Sequence, residues 1–76
     1  MDRFDMLTRF VETARLGSFS AAAALLGLPK SSISQAVTNL EKQLGTRLFN
    51  RSTRSVSLTS DGETFLPQSI ALLSEW

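Results

Sequence analysis

The sequence contains neither cysteine nor histidine. Without cysteine there is no disulfide staple and no thiolate metal site, and a reducing cytosol suits such a chain. Without histidine the usual His/Cys zinc site is excluded too, so no metal and no cofactor is expected. General-base chemistry would fall to carboxylates, and no two of them are placed to share a pocket. The many serines have no candidate base partner. Gly45 and Gly62 stand isolated, so there is no phosphate-cradling loop. An enzyme is therefore not expected. The longest apolar run, Ala21 to Leu28 counting Gly27, is far below the roughly 20 residues that a membrane span needs. The start, Met1 to Asp5, lacks the basic segment and long apolar run of a signal peptide. A cytoplasmic chain without membrane segments is the expectation.

What is present suits one small domain. Seventy-six residues form a single domain at most, or a piece of a larger protein. At this size only about 60% of the unfolded surface can be hidden, so stability is marginal without a partner or a regular helical core. The apolar fraction of 42% is too high for a disordered segment. Net charge is only +1, but its distribution is uneven. Between Lys30 and Arg54 lie Lys30, Lys42, Arg47, Arg51 and Arg54 against a single acid, Glu41. From Asp61 onward there are only acids, and the first fifteen residues are balanced. A basic middle of this kind fits one electropositive face, or else an ordinary solvated surface.

The hydrophobic periods predict mainly helix. From Asp2 to Leu16, Phe4, Leu7, Phe10, Val11 and Ala14 make one apolar stripe, and Gly17 supplies the stop. Ser18 is the N-cap candidate for a second helix over Phe19 to Leu26, whose four alanines permit close helix approach. Gly27-Leu28-Pro29 breaks the chain, with Pro29 suited to the first turn of a third helix running to Leu44. In that helix Ile33, Ala36, Val37, Leu40 and Leu44 fall within roughly a 100° arc. Ser31, Gln35, Thr38 and Lys42 lie opposite, flanked by Ser34 and Asn39. Two short strands then bracket the polar stretch Ser52 to Ser55, forming a wing. Ser60-Asp61-Gly62-Glu63 fits a capping box, so a fourth helix is predicted to the end, with Pro67 inside it. Its apolar residues cover more than one face and need more partner than this domain provides.

The third helix carries the chemistry. A helix entering a DNA major groove needs an apolar back and a small or hydrogen-bonding front. Ser31 and Ser34 are short enough to allow close approach. Gln35 can pair with adenine, Lys30 can reach guanine or a phosphate, and Thr38 offers a methyl to thymine and a hydroxyl to phosphate. Ala23, Gly27, Ile33 and Ala36 sit where a helix-turn-helix needs a small residue, a turn glycine and two buried contacts. Two other classes share this apolar pattern: a winged-helix module for protein partners, and a dimerisation fragment organised by the fourth helix.

The ordered series Ser18-Phe19-Ser20-Ala21-Ala22-Ala23, Pro29-Lys30-Ser31-Ser32-Ile33-Ser34, Leu40-Glu41, Leu44-Gly45, Leu48-Phe49, Arg51, Arg54, Leu58-Thr59 and Gly62-Glu63 resembles the amino-terminal DNA-binding domain of LysR-type transcriptional regulators. The likeness is nearest to a subset with Pro-Lys-Ser-Ser; many members have Gln-Pro at Lys30-Ser31 and a basic residue at Gln35. The resemblance implies a winged helix-turn-helix over residues 1–59 and a linker or dimerisation helix over 60–76. It implies that Lys30, Ser31, Ser34 and Gln35 meet the major groove and that Arg54 in the wing reaches the minor groove, where A·T-rich stretches attract guanidinium. It assigns Arg51 to a phosphate, with a structural pair to Glu41 as the alternative. Ser20 would bind a phosphate with nearby N–H groups, or else serve as a cap or turn residue. It also implies a homodimer on an inverted-repeat DNA operator, with Leu66, Ile70 and Leu73 as dimer contacts. A larger effector-binding domain would follow and take any small molecule; its absence makes this chain an expected fragment.

Overall fold

The computed structural model describes residues 2–51 and 56–74. Four helices and a two-stranded sheet follow in the order α1 (Arg3–Leu16), α2 (Phe19–Leu26), α3 (Lys30–Leu44), β1 (Phe49–Arg51), β2 (Val56–Leu58) and α4 (Ser60–Ser74). Residues 52–55 lie outside the described residues, and with them the Arg54 assignment.

Capping chemistry sets most of the boundaries. The Asp2 carboxylate accepts from the Asp5 N–H at 2.9 Å, and the Ser18 hydroxyl accepts from the Ala21 N–H at 3.1 Å, as expected for Ser18. Gly27 takes φ 68°, a left-handed turn that suits a residue without Cβ and that reverses the chain between α2 and α3. Gly17 and Gly45 close α1 and α3 in the same way. Pro29 differs from expectation. It stands before the helix with an extended backbone (φ −63°, ψ 147°), and α3 begins at Lys30. Its ring restricts φ but leaves ψ free to stay outside the helix.

Two packed clusters build the core. Leu7, Phe10, Val37, Leu40, Leu48 and Phe49 form the larger one. Phe10 lies 5.4 Å from Phe49 and 5.6 Å from Phe65, ring centre to ring centre, so α1, β1 and α4 meet there. Each such buried aromatic or aliphatic side chain contributes about 1.5–3 kcal/mol of transfer free energy. The smaller cluster, Ala22, Ala23 and Ile33, with Phe19, Leu26 and Leu28 against it, holds α2 to α3. Ala23, Ile33 and Ala36 are all buried, as the helix-turn-helix pattern requires. Within α1 the buried stripe is Met6, Leu7, Phe10 and Thr13, while Phe4 is exposed on its flank. Thr13 enters this apolar stripe at little cost, because its hydroxyl donates to the Arg9 carbonyl at 2.7 Å. Leu44 is on the correct face of α3 but 43% exposed, since the last turn overshoots the core.

The strands pair antiparallel, with Phe49 opposite Leu58 and Arg51 opposite Val56. Entry into α4 departs from the expected box at Ser60. The cap is Thr59, whose hydroxyl accepts from the Gly62 N–H at 3.0 Å and donates to the Arg47 carbonyl at 2.7 Å. Gly62 is required by proximity. A Cβ there would collide with the Leu48 carbonyl oxygen. Phe65, Leu66 and Leu73 pack partly on the core, whereas Ile70 and Leu72 are each 46% exposed. Pro67 lies inside α4 on its exposed side, where solvent can serve the carbonyl left without a donor.

Candidate nucleic-acid interface

The apolar back of α3 is buried against α1 and α2 through Ile33, Ala36, Val37 and Leu40, which fixes the helix and turns its other face outward. On that outer face Lys30, Ser31 and Gln35 are exposed, and Ser34 and Thr38 are half-buried. The structure therefore brings these five predicted residues onto one element, with short side chains that leave the helix backbone open to approach. Ser20 is exposed in the first turn of α2, and the capping bond there is made by Ser18.

Arg51 is engaged. Its Nη2 donates to Glu41 Oε1 at 3.1 Å and lies 3.5 Å from Thr38 Oγ1, while the guanidinium carbon sits 5.6 Å from the Phe19 ring centre. The pairing with Glu41, one of two alternatives open in the sequence, is thus formed. Arg47 stands more loosely at 3.8 Å from Glu41 Oε2.

Glu41, which the sequence offered only as a pairing partner for Arg51, has a larger part in the structure. Its carboxylate is buried and accepts from the Leu48 N–H at 2.8 Å and the Phe49 N–H at 3.4 Å as well as from Arg51. Two backbone donors at the start of the wing and one arginine from β1 converge on this α3 carboxylate. A signal was available, because Glu41 is the lone acid in the basic stretch. Beside it an open groove of about 430 Å³ is bounded by Thr38, Lys42, Thr46, Arg47 and Arg51. Among the described residues no group of three or more acidic, His or Cys side chains is placed to hold a metal ion. None of the described helices is long and apolar enough to cross a membrane.

An apolar-backed third helix, a left-handed glycine before it and a two-stranded wing after it make a winged helix-turn-helix. The sequence model of the bacterial regulatory helix-turn-helix proteins of the lysR family matches residues 4–63. The chain belongs to that family. Its relatives are transcriptional regulators. This LysR-family domain is 47% identical over 75 residues to an HTH-type transcriptional repressor of Pseudomonas aeruginosa, covering 99% of this chain and 24% of that protein. It is 46% identical over 68 residues to the regulator ShiR of Corynebacterium glutamicum, covering 90% and 23%. The chain thus spans about a quarter of the length of the curated relatives it matches. Among solved structures, it is similar to Corynebacterium glutamicum OxyR (TM-score 0.93, 37% identity, 99% of this chain and 23% of that one). It is also similar to the BenM DNA-binding domain in complex with catB site 1 DNA (TM-score 0.91, 35% identity, 99% and 82%). The CbnR DNA-binding domain in its DNA complex is a third likeness (TM-score 0.92, 34% identity, 97% and 84%).

Proposed function

We propose that this LysR-family domain binds double-stranded DNA sequence-specifically, with α3 in the major groove and the wing over the minor groove. The observation that carries the reading is the outer face of α3. Lys30, Ser31 and Gln35 are exposed there beside the hydroxyls of Ser34 and Thr38, on a fold similar to domains solved on DNA. Gln35 presents an amide suited to adenine, Lys30 a cation suited to guanine or phosphate, and the hydroxyls suit phosphate and base edges. Ser20 at the start of α2 is assigned to a phosphate, and Arg54 to the minor groove.

In this reading residues 1–59 are the DNA-reading unit and residues 60–76 the linker helix. Two copies pair through α4, with Leu66, Ile70 and Leu73 as contacts, and address an inverted repeat. The parent regulator works in the cytoplasm and takes its effector in a further domain. Titration with duplex DNA at several salt concentrations tests the core of this proposal. The logarithm of the binding constant is expected to fall linearly with the logarithm of salt, at a slope near 0.9 per phosphate neutralised. A dimeric sample that binds no duplex at low salt would leave a protein-binding or purely dimerising role instead.

A further inference from the structure

We propose that Glu41 is a positioning residue that withholds Arg51 from DNA phosphate and so lowers the salt-dependent, sequence-independent part of the affinity; this rests on the DNA-binding reading above. The two carboxylate oxygens have separate partners. Oε2 accepts from the Leu48 and Phe49 N–H groups at 2.8 and 3.4 Å, and Oε1 accepts from Arg51 Nη2 at 3.1 Å. The Glu41 side chain is 7% exposed and that of Arg51 32% exposed. The guanidinium is held from three sides, by Glu41, by Thr38 Oγ1 and by the Phe19 ring. To reach a phosphate it would leave the buried carboxylate with only two backbone N–H groups and the looser Arg47, 3.8 Å away, which is costly. If it stays, the carboxylate already cancels its charge. Every phosphate contact adds affinity for all sequences alike, so an arginine kept off phosphate weakens binding to every duplex by the same factor and leaves discrimination to the Lys30, Ser31 and Gln35 face. One buried acid thus fixes the start of the wing and removes one cation from indiscriminate contact.

The division between the oxygens makes the idea testable. In Glu41→Gln the amide oxygen can still accept from the backbone donors, while its N–H₂ faces the guanidinium, donor against donor. Wild type, Glu41→Gln, Arg51→Ala and the double variant are titrated, from low to moderate salt, with a mixed-sequence duplex and with the duplex recovered by selection from a random pool. Circular dichroism melts accompany each. Expected are a salt slope in Arg51→Ala equal to wild type with a lower Tm, and a slope in Glu41→Gln steeper by about 0.9. Glu41→Gln should bind both duplexes several-fold tighter at low salt with their ratio unchanged, and adding Arg51→Ala should restore the wild-type slope. A shallower slope in Arg51→Ala alone overturns the proposal, because Arg51 would already be on phosphate. So does an unchanged slope in a folded Glu41→Gln. Should Glu41→Gln fail to fold, the Arg51→Ala slope decides the matter by itself. Wild type that binds neither duplex overturns the DNA reading, whereas these other failures remove only the role of Glu41.

Discussion

Gln35 and Arg51 occupy the same side of the domain but differ in what their removal should do. Gln35 is exposed on α3 with no packing duty. Gln35→Ala should leave the unfolding free energy within about 0.5 kcal/mol of wild type while shifting the preferred base at one position of the site, at about 1–3 kcal/mol of discrimination. Duplex selection with both proteins checks this, and identical preferences would remove Gln35 from the reading set. The outward placement of Gln35 was legible from spacing alone, since helical period fixes which side chains oppose a buried stripe. Of the Glu41 network only the Arg51 pairing was, as one of two alternatives. The backbone partners Leu48 and Phe49 lie seven and eight positions away across a turn, beyond the reach of any helical period. Leu44 shows the converse failure: periodicity gave its face correctly but not where the core ends.

The start of α4 turns on which hydroxyl caps it. Thr59 and Ser60 are both capping types, and the spacing to Glu63 favoured Ser60. Thr59 prevails because it has a second partner, the Arg47 carbonyl, twelve residues back. Thr59→Ala should therefore cost about 1–2 kcal/mol, and Ser60→Ala about 0.5 kcal/mol or less, in chemical denaturation. Equal costs would return the cap to Ser60. Gly62→Ala should be as damaging, by about 1–3 kcal/mol, because the added carbon meets a backbone carbonyl that side-chain rotation cannot move aside. The helices themselves were readable end to end, with α2 matching its expected span and α1 and α3 each beginning one residue late. Caps and glycines are local signals, so they survive in sequence. Pro29 marked the boundary correctly yet sits outside it, since its ring is compatible with both positions.

Assembly is where the apolar excess of α4 has its consequence. Leu66 and Leu73 already pack partly on their own core, so Ile70, 46% exposed, is the cleaner probe of pairing. Ile70→Glu is expected to sediment as a monomer while melting like wild type; a fully dimeric variant would move the interface elsewhere. The general architecture, helices and wing, was legible because each element carries its own period and punctuation. What α4 faces in a second copy is not written in any single chain's pattern. The seating of α4 nonetheless bears on how such a pair would measure DNA. The Thr59 N–H bonds the Leu48 carbonyl, and the Leu48 N–H bonds Glu41 on α3, so α4 and α3 are bolted through one residue with no free joint between them. A pair joined through α4 would then behave as a caliper with fixed jaws. Its two α3 helices would keep one separation and one phase around the duplex. Moving the half-sites apart by about 5 base pairs, half a helical turn, should abolish paired binding, whereas a hinged molecule would follow them.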